Sequence, residues 1–175
     1  MVNSIISPSI GGLHAYILRN YIINRGEGKY KRYDMSTVTN GILIGAVSIT
    51  GCCHQVEPWA ACAIGFISIY FYMAGHIIMD KIGLDDALEA VQVHAFGGIW
   101  GIIAVAFFSK DVGILYSHPD SGRLLGIQLV GLTCMVSWSG IMSGIFFFVT
   151  NKLGVLRLSA TEEIIGSDLT YFGPL

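Results

Sequence analysis

The feature that most constrains this chain is a histidine embedded in a long apolar run. Across residues 86–108 the only charged residues are Asp86 and Glu89, both at the start of the run. A helix through this run places His94 roughly 12 Å beyond its charged end, at about 1.5 Å of rise per residue. That depth lies within a hydrocarbon core about 30 Å thick, where an ionisable group is unstable unless it is paired, neutral or beside water. His94 is therefore expected to mark a functional site rather than ordinary packing.

The composition is that of a membrane protein. Of the 175 residues, 53% are hydrophobic and 13% are charged, whereas a soluble domain has about 25% charged residues. The sequence predicts an all-α membrane protein with about five transmembrane helices, at residues 3–23, 37–53, 59–79, 86–108 and 124–150. These form a transmembrane region, 1–153, followed by a cytoplasmic tail, 154–175. The net charge of −2 argues against a nucleic-acid partner, and no HExxH pattern points to a metalloprotease.

The basic residues predict the orientation in the membrane. Eight of the ten lysines and arginines lie at the end of the first helix, between the first two helices, between the third and fourth, or after the fifth: Arg19, Arg25, Lys29, Lys31, Arg32, Lys81, Lys152 and Arg157. The opposite loops carry only Lys110 and Arg123. The positive-inside rule then places the tail in the cytoplasm and the N-terminus outside. An N-terminus outside, directly followed by a span, leads us to expect further helices before Met1.

Small residues follow one side of the fourth predicted helix. Three- and four-residue steps would align Ala87, Ala90, His94, Gly97, Gly98 and Gly101 on a narrow face. Gly97 and Gly101 form a small-xxx-small pair, a pattern that lets membrane helices approach closely. Gly41 with Gly45, and Gly140 with Gly144, repeat the pattern, where plain helix packing is the simpler interpretation. A closely packed face that also carries a histidine indicates a narrow lined pathway.

Three carboxylates precede that helix, and two interpretations stay open. Asp85, Asp86 and Glu89 can cap free N–H groups and offset the helix dipole. Alternatively, they orient the helix end or attract cations to an inner mouth of the pathway. His76, near the inner end of the third helix, can reach the membrane interface.

A second histidine leaves a different class of protein open. His14 lies within the first predicted helix at a depth comparable to that of His94, and two histidines at one depth can ligate a haem. The four cysteines, Cys52, Cys53, Cys62 and Cys134, show no metal-binding spacing and are expected to be small buried hydrophobes.

Four blocks of the sequence resemble the ammonium transporter family. They are ITGCCHQVEPWAA (49–61), DDALEAVQVHAFGGIWG (85–101), VSWSG (136–140) and LRLSATEEIIGSDLTYFG (156–173), and their order and spacing match as well. The stretch LEAVQVH looks most like the plant and protist branch. The resemblance implies the last five helices of an eleven-helix fold, and a homo- or hetero-trimer with one ammonium or ammonia pore per subunit. It implies a multi-pass protein of the cell membrane, not an enzyme, with no cofactor.

The resemblance also implies roles for individual residues. His94 matches the second of two facing pore histidines, and its partner would belong to a helix before Met1. Thr50 and Ala90 would line the pathway, and Asp85 with Asp86 match an acidic pair. Trp100 and Trp138 would pack the fourth helix against the fifth. The family proline after the acidic pair is replaced by Ala87 here, and Pro8 introduces a kink where the family has small residues.

The tail is the regulatory candidate. Thr170 matches a threonine that is a phosphorylation switch in some relatives, and a phosphate there would repel Glu162, Glu163 and Asp168. The flanking Tyr171 and Phe172 differ from the family pattern, so an ordinary exposed terminus is the competing interpretation. A non-transporting ammonium sensor on the same fold is the remaining alternative function.

Overall fold

The computed structural model describes residues 1–19, 35–166, 169 and 173. The chain divides into two compact units, Met1–Leu132 and Thr133–Leu175. The described residues form helices and no strands, which confirms the expected all-α class. The helices are α1 (Val2–Ile17), α2 (Met35–Thr50), α3 (Pro58–Ile82), a π-helical segment (Val91–Phe96) continued by α4 (Gly97–Phe108), α5 (Ser121–Lys152) and α6 (Ala160–Ile165).

Three of the described helices are long and apolar enough to cross a membrane: Pro58–Ile82, Val91–Phe108 and Ser121–Lys152. Helix α2 is apolar but shorter, with 16 residues. The first helix was expected to reach residue 23, and its last expected residues lie outside the described part of the chain. α3 begins at Pro58, whose fixed φ suits the first helical turn. It ends at Ile82 and is followed by Gly83 in the left-handed conformation, with φ of 70°.

The fourth predicted helix begins later than expected. The sequence placed its start at residue 86, but the helical segment begins at Val91 and residues 86–89 form a turn. The Asp86 carboxylate accepts hydrogen bonds from the backbone N–H groups of Ala90 (3.1 Å) and Val91 (2.8 Å). Asp86 therefore caps the helix from outside, as acidic residues before a first turn commonly do. His94 consequently lies in the first turn of its helix and not about 12 Å along it.

Helices α1, α2 and α3 approach one another through glycines. A Cβ atom on Gly65 would lie 2.2 Å from the backbone oxygen of Ser7, and one on Gly45 would lie 2.7 Å from the same oxygen. A Cβ on Gly11 would lie 2.4 Å from the backbone oxygen of Gly41. The buried Ser7 hydroxyl donates to the Gly45 carbonyl at 2.8 Å, adding a polar link at this crossing. The pair Gly41 and Gly45 thus serves close packing between helices.

Trp100 joins α4 to α3. Its Nε1 donates to the Ile64 carbonyl at 3.0 Å, and its ring stacks on Phe71 with a centroid distance of 5.1 Å. Trp100 therefore packs on the third helix. Trp138 on α5 is 68% exposed, so its packing role stays a prediction. Of the cysteines, Cys52 is buried, as expected, whereas Cys134 is exposed.

Within the second unit, the short helix α6 begins with a capping box. The Ser159 hydroxyl accepts a hydrogen bond from the Glu162 backbone N–H, and the Glu162 carboxylate accepts one from the Ser159 N–H at 2.9 Å. These bonds hold the pKa of Glu162 below its ordinary value of 4.5. Arg157 pairs with Glu163 at 2.8 Å. Asp168, Thr170, Tyr171 and Phe172 lie outside the described residues.

Replacing Gly65 with alanine is expected to destabilise the first unit by about 1–3 kcal/mol, because the new methyl group would collide with backbone rather than with a flexible side chain. Thermal unfolding in detergent measures the change. The matched control is Gly126→Ala on α5, where a Cβ meets no atom within 4 Å. An equal melting temperature for Gly65→Ala and the wild-type chain would contradict this account of the packing.

Replacing Ser159 with alanine is expected to lower the helix population of α6 roughly fivefold, because an N-cap acceptor is lost. The backbone carbon chemical shifts of residues 160–165 measure that population. Since the folded-state pKa of Glu162 is depressed, its contribution is present above pH 4.5 and disappears as the pH falls through the lowered value. This acid-dependent loss is expected in the wild type and in Thr161→Ala, and is absent from Ser159→Ala. An unchanged helix population in Ser159→Ala would refute the role of the cap.

Candidate functional site

His94 lies on an open side of the π-helical segment. Ala90 and His94 are both exposed, and a Cβ atom on Gly98 would meet nothing within 4 Å. These three residues follow one another at four-residue steps, and we call them the His94 face. The face combines an imidazole with small residues that leave space beside it.

The opposite side of the same segment is tightly packed. Val93 is 2% exposed. A Cβ on Gly97 would lie 2.7 Å from the Ile44 side chain, and one on Gly101 would lie 2.9 Å from the Ser48 backbone oxygen. The Ser48 hydroxyl also donates to the Gly97 carbonyl at 3.3 Å. Gly97 and Gly101 therefore hold the helix against α2.

The sequence placed His94, Gly97 and Gly101 on one face, and this is wrong. The error has a geometric cause, because the expectation assumed 3.6 residues per turn throughout the helix. A π-helical turn closes its hydrogen bond over one more residue than an α-helical turn. The extra residue separates the direction of His94 from that of the packed glycines. The histidine is thereby released to the open side while the glycines stay in the interface.

Thr50, the other expected pathway residue on α2, is exposed at the end of that helix. Its hydroxyl donates to the Ala46 carbonyl at 2.7 Å, one turn earlier in the same helix. The hydroxyl oxygen keeps acceptor capacity. Roles in a pathway for Thr50, Ala90 and His94 stay predictions at this point.

The three carboxylates before the helix have different environments. Asp86 is the cap described above, and Asp85 is exposed. Glu89 neither caps the helix nor is exposed, because its side chain turns towards α2 and α3. Its own backbone is left-handed, with φ of 57°, a conformation that costs a non-glycine residue on the order of 1–3 kcal/mol. Such a conformation persists only where surrounding contacts impose it.

Those contacts come from three side chains. The Glu89 oxygen Oε2 accepts hydrogen bonds from the Asn40 amide and from the Tyr72 hydroxyl. Its other oxygen, Oε1, lies 3.0 Å from His76 Nε2. Tyr72 is 2% exposed and Asn40 is 8% exposed. We call Glu89, Asn40, Tyr72 and His76 the Glu89 network.

The sequence reasoning missed this network. It placed His76 at the membrane interface and did not consider Asn40 or Tyr72. A signal was present, because Tyr72 and His76 are four residues apart on one helix face. Asn40 is, in addition, an amide within an apolar helix. The network borders a cleft of about 270 Å³ that is also lined by Arg19 and Asp80.

His14 has a different environment from His94. Its Nδ1 lies 2.9 Å from the Phe66 carbonyl, and its ring stacks on the Phe66 ring with a centroid distance of 3.9 Å. Tyr70 packs against its edge at 5.3 Å. His14 is thus a buried histidine that joins α1 to α3, and no feature of the described residues favours haem ligation.

Comparison with known proteins identifies the family. The model of the Ammonium Transporter Family matches residues 1–174. Ammonium transporter 3 of Dictyostelium discoideum is 38% identical over 153 residues, which is 81% of this chain and 35% of that protein. Ammonium transporter 1 member 3 of Solanum lycopersicum is 36% identical over 157 residues, 81% of this chain and 34% of that protein.

Solved structures show the same fold. Saccharomyces cerevisiae Mep2 superposes with a TM-score of 0.77 at 22% identity, over 91% of this chain and 37% of that one. Candida albicans Mep2 gives a TM-score of 0.77 at 21% identity, over 92% of this chain and 36% of that one. The chain spans about a third of the length of the relatives that it matches. With its membrane-length helices and a family match along nearly its whole length, the chain belongs to the ammonium transporter family.

Proposed function

We propose that this chain forms one wall of a membrane pore for ammonium or ammonia, with the His94 face lining that pore. The observation that carries the proposal is the open imidazole in the first turn of a membrane-length helix whose other side is packed. A polar ring exposed to acyl chains is unfavourable, and such groups face a bundle interior or a water-filled cavity instead. The His94 face therefore needs a facing wall.

That wall is supplied by protein outside this chain. The relatives are about three times as long as the stretch that they share with it. We place the chain as the last five helices of the eleven-helix family fold, with a second pore histidine on the facing wall. Thr50, the last residue of α2, lies along the same pathway.

The chemistry follows from a neutral imidazole. One ring nitrogen donates and the other accepts a hydrogen bond, so His94 can guide a small solute that does both. Ammonium releases a proton before the constriction, and ammonia passes as a neutral molecule. A potassium ion has no proton to lose and would give up its hydration for too few ligands in a narrow dry bore. The unfilled space beside Gly98 leaves room for ammonia next to the ring.

Placement and assembly follow the family pattern. We infer a multi-pass protein of the cell membrane, with residues 1–153 in the membrane region and the tail, 154–175, in the cytoplasm. The complete protein is a trimer with one pore per subunit. Phosphorylation of Thr170 would repel Asp168, Glu162 and Glu163 and release the tail. No observation on the described residues favours the sensor or the haem-binding alternative over transport.

Uptake of labelled methylammonium tests the proposal. This chain is expressed with the complementary N-terminal part of the Dictyostelium relative in cells that lack ammonium transport. Together the two parts are expected to give uptake, and His94→Ala is expected to lower it at least about tenfold, because a hydrogen bond made only in the pore is lost.

The control is His118→Ala. It removes a loop histidine whose ring faces Asp120, and it should leave uptake unchanged. Full uptake with His94→Ala would refute the role of the His94 face. Equal uptake by this chain with and without the complementary part would refute the need for a facing wall.

A further inference from the structure

We propose that Glu89 is a positioning residue that sets the direction of His94 through the Glu89 network. The inference rests on the proposed function of His94, but the network itself is defined by geometry. Three donor side chains, from α2 and α3 among the described helices, converge on the one carboxylate. The same residue is tied to the start of the π-helical segment, because its carbonyl accepts an α-type hydrogen bond from the Val93 N–H at 3.0 Å.

The arrangement argues against two simpler roles. Capping of the helix is already performed by Asp86, whose two oxygens accept the Ala90 and Val91 N–H groups. A cation site would require free carboxylate oxygens, but both oxygens of Glu89 face protein donors. The cleft beside the network is also lined by Arg19, whose positive charge opposes a second cation.

The network imposes the backbone conformation that precedes the π-helical segment. The Glu89 backbone is left-handed. In this conformation its carboxylate reaches Asn40 and Tyr72, and its carbonyl accepts a hydrogen bond from the Val93 N–H. At the other end of the segment, Ser48 holds the Gly97 carbonyl. The extra residue of the π turn is thus held between two tertiary contacts.

The direction of His94 depends on that extra residue. Each residue of an α-helix rotates the chain by about 100°, since 3.6 residues complete a turn. If the segment relaxed to α-helical register while α4 stayed packed, His94 would rotate by about that angle. The ring would then leave the open side. Glu89 therefore acts on the pore through the backbone, without touching the solute.

Glu89→Gln tests the proposal in the full chain reconstituted in lipid nanodiscs. The variant keeps the length of the side chain, but one oxygen becomes an N–H₂ group that faces donors. Hydrogen bonds to a charged group are each worth roughly a tenfold factor or more. Amide hydrogen exchange at Val93 and His94 should therefore accelerate at least about tenfold, and the ring ¹⁵N resonances of His94 should shift. Tyr72→Phe, which removes one donor, should change both readouts in the same direction by less.

The matched control is Asp80→Asn, which removes an exposed carboxylate from the same cleft. It should leave both readouts unchanged. Unaltered exchange and unaltered His94 resonances in folded Glu89→Gln would overturn the proposal, as would equal changes in Asp80→Asn. If Glu89→Gln does not fold, Tyr72→Phe decides by the same two readouts.

These readouts do not depend on transport. If His94 shifts in Glu89→Gln but the wild-type chain gives no uptake in the two-part assay, the pore function is refuted and the positioning role is supported. If the wild-type chain gives uptake that depends on His94, but His94 does not move in Glu89→Gln, the pore function is supported and the positioning role is refuted.

Discussion

Close contact between backbones organises the first unit. In a lipid environment the apolar side chains gain little by leaving the acyl chains, so van der Waals contact and interhelical hydrogen bonds hold helices together. The Ser7 carbonyl lies where side chains on Gly45 and Gly65 would stand. Because no Cβ is present, α1, α2 and α3 form a platform on which α4 rests through Gly101 and Trp100.

Two polar groups beside this platform, the Glu89 network and His94, have different surroundings. In the Glu89 network the partly buried carboxylate has a protein donor at each of its oxygens. His94, only five residues later, is left open. Because donor side chains hold the Glu89 carboxylate, the backbone can direct the His94 ring to a side that helix packing alone would not favour.

Much of the architecture could be predicted from local patterns. Apolar runs predicted the membrane-length helices, which are α3, the π-helical segment with α4, and α5. The spacing of Gly41 and Gly45 indicated close packing. Asp86 was recognised as a possible cap. The start of the helix that carries His94 was predicted incorrectly. So was the shared face of His94 and Gly97, because both predictions assumed an uninterrupted α-helical period. The contact of Trp100 with Ile64 and Phe71 on α3 was also not predicted, since residue spacing does not say which neighbouring helix a ring packs on.

By itself, the sequence determined the all-α class, the membrane-length helices and the family, because these depend on residue types and on spacing along the chain. Only the tertiary structure decided where His94 points and what Glu89 binds. Asn40 and Glu89 are 49 residues apart, and no periodic pattern reports such a contact. The π-helical turn has the same cause, since a register with little intrinsic stability forms where distant side chains and carbonyls hold its two ends.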